Sequence, residues 1–213
     1  MAAFWEDPNW VILWPKDMKR EFIIEQSAKR QPRNLLRDRE KVRHQKAVDP
    51  VTGAVVGYAR WILPSGHYTT EDGSPAWAEA QVPDVSEGEK KRYQELAESA
   101  WWNPREDMDS LDDKNHVVMD RILAEKPFIR LDYLAVHPEN KGKGIGTALV
   151  ASGMKYAEQA GVPVFTLAFK AGRGIYARLR FQEVDRVIQN DSEYGGPGEY
   201  AAYFMIYNVS GNV

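Results

Sequence analysis

The residues with the clearest capacity for chemistry lie in "LDYLAVHPENKGKGIGTALV", from Leu131 to Val150. Glycines stand at alternate positions, Gly142, Gly144 and Gly146, between an apolar strand-like run and an apolar helical run. Glycine accepts backbone angles that other residues avoid, and it lets a ligand approach the main chain. The first turn of a helix offers unpaired N–H groups, and its dipole favours negative charge. The combination predicts an anion site suited to a phosphate. Spacing narrows the choice. A dinucleotide fingerprint needs G-x-G-x-x-G, but Thr147 stands three residues after Gly144, and the G-x-x-x-x-G-K-[ST] phosphate loop is also absent. What stands here is Lys141-x-x-Gly144-x-Gly146, directly after Val136-His137-Pro138.

Such a loop works only where a strand ends before it and a helix starts after it. Phe128 to Val136 is the most strand-like run in the chain, and His137-Pro138 ends it. Gly144 to Ala160 reads as a helix with Leu149, Val150, Met154 and Ala157 as its buried stripe and Gly161 as its cap. Val162 to Phe169 is a further strand, "GRGIYARLRF" a short helix, and the chain closes with two strands around "YGGPG". Upstream, Lys16 to Arg30 has helical spacing, and Val42–Val48 with Ala54–Leu63 forms a hairpin around the Asp49–Gly53 turn. Between hairpin and central strand, from about His67 to Lys126, lies an insertion with two helices. The first, Ser86 to Trp102, opens with the Ser86/Glu89 spacing of a capping box, and the second covers Asp112 to Lys126.

With 213 residues the chain suits a single domain, 1–213, carrying an insertion. Hydrophobic residues at 43% and charged residues at 28% are ordinary for a soluble globular protein. The absence of cysteine excludes disulfides, thiolate metal sites and a cysteine nucleophile, and no metal is expected. No signal peptide or membrane-length apolar run is visible, so a cytoplasmic protein with no membrane partner is expected. The net charge of −3 conceals an asymmetry. Glu71 to Glu125 holds 15 acidic and 6 basic residues, and the remainder 16 acidic and 22 basic. The frame could attract a polyanion and the insert a cation.

The segment "LAVHPENKGKGIGTALV" resembles the acyl-CoA loop of the GNAT superfamily, the Gcn5-related N-acetyltransferases, whose pattern is Arg/Gln-x-x-Gly-x-Gly/Ala; Lys141 replaces the usual first residue. The resemblance runs from Phe128 to Phe181 and more loosely over the hairpin and the C-terminus, where "YGGPGEYAAYFMIYN" is similar to fungal members. It implies an α/β fold with a mixed, mostly antiparallel central sheet flanked by helices. It implies acetyl-CoA as co-substrate. The N–H groups of Lys141, Gly142, Lys143, Gly144, Ile145 and Gly146 would hold the pyrophosphate, with Thr147 adding a hydroxyl. Main-chain groups of Leu134 and Val136 would hold the pantetheine arm, as an open strand edge holds an added strand. Lys170, Arg173 and Arg178 are candidates for the remaining phosphate.

Transfer of an acetyl group to an amine needs a neutral nucleophile, a polarised carbonyl and a proton for the leaving thiolate. Tyr176 matches the family's tyrosine that faces the thioester sulfur, and a phenol can donate there. Arg180 departs from the pattern, since a glycine is usual before Phe181. Asp132, by alternation on the face of Leu134 and Val136, is a candidate base through water, or it salt-bridges Arg130 or Arg60. His137 and Glu79 are further candidates. Trp77, Trp101 and Trp102 with the acidic insert form either a lid over a cationic amine or a helical buttress. "AFWEDPNWVILWP" resembles the end of the family's first helix, so its opening strand is missing, and the exposed sheet edge favours a homodimer. The expected activity is acetyl transfer to a primary amine, a small molecule rather than a protein. The alternative is an acyl-CoA-binding module without catalysis. Nucleic-acid binding is set aside, because no basic run with interleaved aromatics accompanies the loop.

Overall fold

The computed structural model describes residues 1–210. A turn at Phe4–Glu6 and helices α1 (Pro8–Val11) and α2 (Arg20–Leu36) precede the hairpin β1 (Val42–Val48) and β2 (Val55–Ile62). The insertion holds α3 (Glu87–Glu98) and α4 (Asp109–Leu123). Then come β3 (Ile129–Val136), α5 (Ile145–Ala160), β4 (Val164–Phe169), α6 (Lys170–Arg178), β5 (Gln182–Gln189) and β6 (Tyr200–Tyr207). The six strands form one sheet in the order β1-β2-β3-β4-β6-β5, in which only β3 and β4 run parallel. This is the mixed, mostly antiparallel sheet that the resemblance implied. The last three residues of the expected domain lie outside the described residues.

Each face of the sheet is covered for a reason readable in the strands. On one face Ala59, Trp61, Leu131, Val164 and Met205 meet Leu149, Val150 and Ala157 of α5. Trp61 is fully buried and lies where α5 comes closest: a Cβ at Gly153 would sit 2.1 Å from its ring. The Trp61 indole N–H donates to Gln45 Oε1 at 3.0 Å, so this burial strands no donor. On the other face Phe165, Phe204 and Ile206 pack with Ile122 and Phe128 beside α4.

Several boundaries differ from the sequence reading. The first long helix runs from Arg20 through Pro32 to Leu36 rather than stopping at Arg30. The helix opening at Ser86 keeps its capping box, with both reciprocal bonds present, but ends at Glu98. The insertion does not form a tryptophan lid. Trp77 is 6% exposed and stacks on Tyr156 of α5 with ring centres 4.5 Å apart. Trp101 meets Phe22 and Trp14, and Trp102 meets Trp14 with Arg30 above its ring at 4.0 Å. The buttress alternative is what the contacts describe.

Candidate functional site: a cleft where two parallel strands part

Strands β3 and β4 pair over only three positions, Ile129 with Val164, Arg130 with Phe165 and Leu131 with Thr166. Thr166 closes this short ladder by donating its hydroxyl to the Leu131 carbonyl at 3.0 Å. Past that point β3 continues to Val136 and β4 to Phe169 without pairing, and the strands part. The His137 N–H donates to the Val56 carbonyl at 2.8 Å, so alternation turns the main-chain groups of Leu134 and Val136 away from β2. Both therefore face the gap. A cleft of about 760 Å³ opens there, lined by the two free edges, the glycine loop, α6 and the N-terminal segment around Phe4 and Trp10.

The glycine loop meets the cleft at its wide end. Gly142 and Gly144 adopt left-handed angles, φ 76° and 77°, which side chains resist. Gly144 is the N-cap of α5 and brings no side-chain cap, and the helix's first N–H bond runs from Ala148 to the Gly144 carbonyl at 2.9 Å. The N–H groups of Ile145, Gly146 and Thr147 precede that bond and are the helix's unshared donors. A Cβ at Gly142 or Gly144 would meet no protein atom within 4 Å, so the space above this turn is open to a ligand. Thr147 lines the cleft, and so does Lys141, whose ammonium pairs with the Glu6 carboxylate from the N-terminal segment. Lys143 is exposed.

The other predicted cations separate. Lys170 pairs with Glu199 at 3.0 Å, and Arg173 pairs with Glu183 at 2.7 Å while lying over the Tyr203 ring. Arg178 alone of the three lines the cleft.

At the fork sits Tyr176, presented by α6 and 5% exposed. Its ring packs on Phe181 with centres 5.5 Å apart, and its hydroxyl meets the Thr166 side chain. Burial pushes the phenol up to about 12, and the Thr166 hydroxyl offsets this only in part. The phenol is therefore neutral throughout the physiological range. The chain leaves α6 through Arg180, which stands in the left-handed region at φ 65°. The position where a glycine is usual thus keeps a glycine's conformation with an arginine in it.

Asp132 corrects one expectation. Arg60 pairs with Tyr133 and Trp61 with Leu131, so Asp132 is the extra residue of a β-bulge in β3. The bulge breaks the alternation assumed from sequence. Leu134 and Val136 point toward Gly146 of α5, whereas Asp132 lies with Arg60 and Arg130, at 2.5 and 3.3 Å. The Arg60 guanidinium also lies 5.2 Å from the Tyr133 ring, which Phe4 contacts in turn. Asp132 still lines the cleft. His137 is exposed and Glu79 is exposed, and neither lines it.

Sequence reasoning missed Thr166, because a threonine inside an apolar strand carries no signal that its neighbour strand ends its pairing there. It also missed Phe4 and Trp10 as cleft walls, since the N-terminal segment reaches the cleft through the contact of Phe4 with Tyr133, more than a hundred positions away, and Trp10 packs behind it on Phe4. Among the described residues no group of histidine and carboxylate side chains could hold a metal ion, and no helix is long and apolar enough to cross a membrane.

The family model described as "Acetyltransferase (GNAT) family" matches residues 4–181. Among solved structures, the histone acetyltransferase HPA2-related acetyltransferase of Corynebacterium glutamicum is 15% identical with a TM-score of 0.54, over 98% of this chain and 86% of that one. Arylalkylamine N-acetyltransferase 2 of Aedes aegypti is 15% identical with a TM-score of 0.48, over 95% and 87%. Naa20 of Chaetomium thermophilum, in complex with a bisubstrate analogue, is 15% identical with a TM-score of 0.45, over 98% and 79%. No curated protein matches the chain. The parting strands, the glycine turn at a helix N-terminus and the family match over most of the sequence place this chain in the GNAT family of acetyltransferases.

Proposed function

We propose that this protein transfers the acetyl group of acetyl-CoA directly to a primary amine, within a single domain in the cytoplasm. One observation carries the reading: an open anion turn, two free strand edges and a buried neutral phenol converge on one cleft. The first-turn N–H groups of α5 and the backbone from Lys141 to Gly146 hold the pyrophosphate, and Thr147 adds its hydroxyl. Leu134 and Val136 offer their outward main-chain groups to the pantetheine arm. That arm then enters the gap between β3 and β4 and points the thioester at the fork.

Tyr176 holds its proton until the C–S bond breaks and then gives it to the departing sulfur. The C–N bond forms in the same step, and the amine proton leaves through water. Asp132 is the candidate to receive that proton; Arg60 and Arg130 already engage its oxygens, so water must bridge it to the amine. Tyr176 regains its proton from solvent. Aromatic walls from Phe4 and Trp10 narrow the cleft, which favours a small-molecule amine over a folded protein.

A second reading, acyl-CoA binding without transfer, is motivated by Arg180, whose left-handed backbone shapes the turn out of α6 and so the placement of Tyr176. Thiol release from acetyl-CoA, measured over a panel of primary amines, separates the two. Amine-dependent release is expected. Saturable acetyl-CoA binding with no release from any amine would favour the second reading.

A further inference from the structure

We infer that the acceptor amine carries an anionic group, a phosphate or a carboxylate, which is held in a cationic groove beside the donor cleft. The inference deepens the acetyltransferase reading and rests on it for the word acceptor, though not for the groove.

The groove has a volume of about 740 Å³ and lies between α2, the end of β2 and the start of β3. Arg30 and Arg33 line it from α2, at the i, i+3 spacing that puts them on one helical face, and Arg37 joins them from the extended residue that ends the helix. Arg60 and Arg130 line it from the sheet, with Lys41 and Lys126 nearby. Against these seven cations stand two carboxylates, Asp38 and Asp132. The whole chain carries −3, so an excess of positive charge here is not a reflection of composition. The acidic insertion contributes no carboxylate to the lining, and this groove is where part of the basic frame collects.

The carboxylates are already used. Asp38 lies 3.5 Å from Lys41 and 3.9 Å from Arg37, and Asp132 holds Arg60 and Arg130. Arg30 and Arg33 have no carboxylate partner among the described residues; Arg30 lies on the Trp102 ring, and Arg33 donates to Asn34 Oδ1 at 3.1 Å. Arg130 Nε is buried with no hydrogen-bond acceptor among the described residues. Like charges three apart on a helix repel, and burial together with Arg33 depresses the Arg30 guanidinium. A bound anion relieves both costs, and guanidinium forks suit the bidentate geometry of phosphate and carboxylate.

Position links groove to chemistry. Asp132 lines both the groove and the donor cleft. An acceptor anchored by its anionic end among the arginines therefore extends its amine past Asp132 toward the fork.

The test compares matched amines as acceptors: 2-aminoethyl phosphate against ethanolamine, and β-alanine against propylamine. At least one charged member should exceed its neutral partner by about tenfold or more in kcat/KM, chiefly through KM. Which pair shows the preference distinguishes phosphate from carboxylate. The preference should shrink in Arg33→Gln and in the exposed-site variant Arg37→Gln, weaken with salt, and be retained only in part in Arg33→Lys, which keeps the charge but loses the fork. Turnover of the neutral amines with ratios near one would overturn the inference and leave the acetyltransferase reading standing. If no amine is acetylated, titration of 2-aminoethyl phosphate and inorganic phosphate in the absence of acetyl-CoA decides the matter. Saturable binding below about 10 mM that Arg33→Gln weakens supports the groove, and no saturable binding overturns it.

Discussion

Tyr176→Phe removes one oxygen from a ring that is 5% exposed and leaves its packing on Phe181 in place. Thr166 keeps its own acceptor, the Leu131 carbonyl, so no buried donor is stranded. The stability cost near pH 8 is therefore about 0.5–1.5 kcal/mol. The pH dependence has a definite sign. The phenol is raised to about 12 in the folded chain, against about 10 when unfolded. Above pH 10 the unfolded chain releases this proton first, so the folded state binds more protons and stability falls as pH rises toward 12. At about pH 11 the loss amounts to about 1.4 kcal/mol, and it is absent from the variant. Burial raises Tyr58 to about 12 as well, so the difference between wild type and variant is the informative quantity. Urea denaturation at pH 8 and pH 11 measures it. In steady-state kinetics the variant should lose about 10²- to 10⁴-fold in kcat with KM for acetyl-CoA nearly unchanged. A variant whose kcat stays within about threefold of wild type would refute the proton-donor role. Equal stability losses between pH 8 and 11 in both proteins would refute the burial argument.

Three further outcomes follow from packing, backbone and charge. Gly153→Ala places a Cβ 2.1 Å from the fully buried Trp61 ring, and the clash outweighs the gain in helix propensity; a net loss of about 1–3 kcal/mol is expected in thermal or urea unfolding. Arg180→Gly relieves a left-handed arginine at φ 65° and should raise stability by about 1 kcal/mol in urea unfolding. His44 is half-buried, and desolvation together with Arg60 and Arg43 holds it neutral, at about 4 against an ordinary 6.5. The unfolded chain binds that proton first on acidification, so stability should fall as pH drops from about 6.5 to about 4, and His44→Gln should flatten that slope.

What could be read in the sequence was what local chemistry dictates. The glycine turn, the strand before it and the helix after it are set by residues adjacent in the chain, and the structure has them within a residue or two. The Ser86 capping box is local for the same reason. The features that were not legible depend on which strand lies next to which. Alternation in a regular strand puts Asp132 on the Leu134 face, and nothing in "IRLDYLAV" announces a bulge against β2. Pro32 disguises the last turn of α2, yet that turn carries Arg33 and leads directly into Arg37. Trp77 looked free to cover a ligand, and its stacking on Tyr156 is set by a helix nearly eighty residues away.

The turn at Gly142–Gly146 and the gap beyond Leu131 and Thr166 are together the proposed acetyl-CoA site. Calorimetric titration of acetyl-CoA into the purified protein, with ATP and NAD as controls, tests it most directly. Saturable binding of acetyl-CoA in about the micromolar range is expected, with ATP and NAD weaker by at least about tenfold. Absence of acetyl-CoA binding, or equal binding of all three, would contradict that assignment.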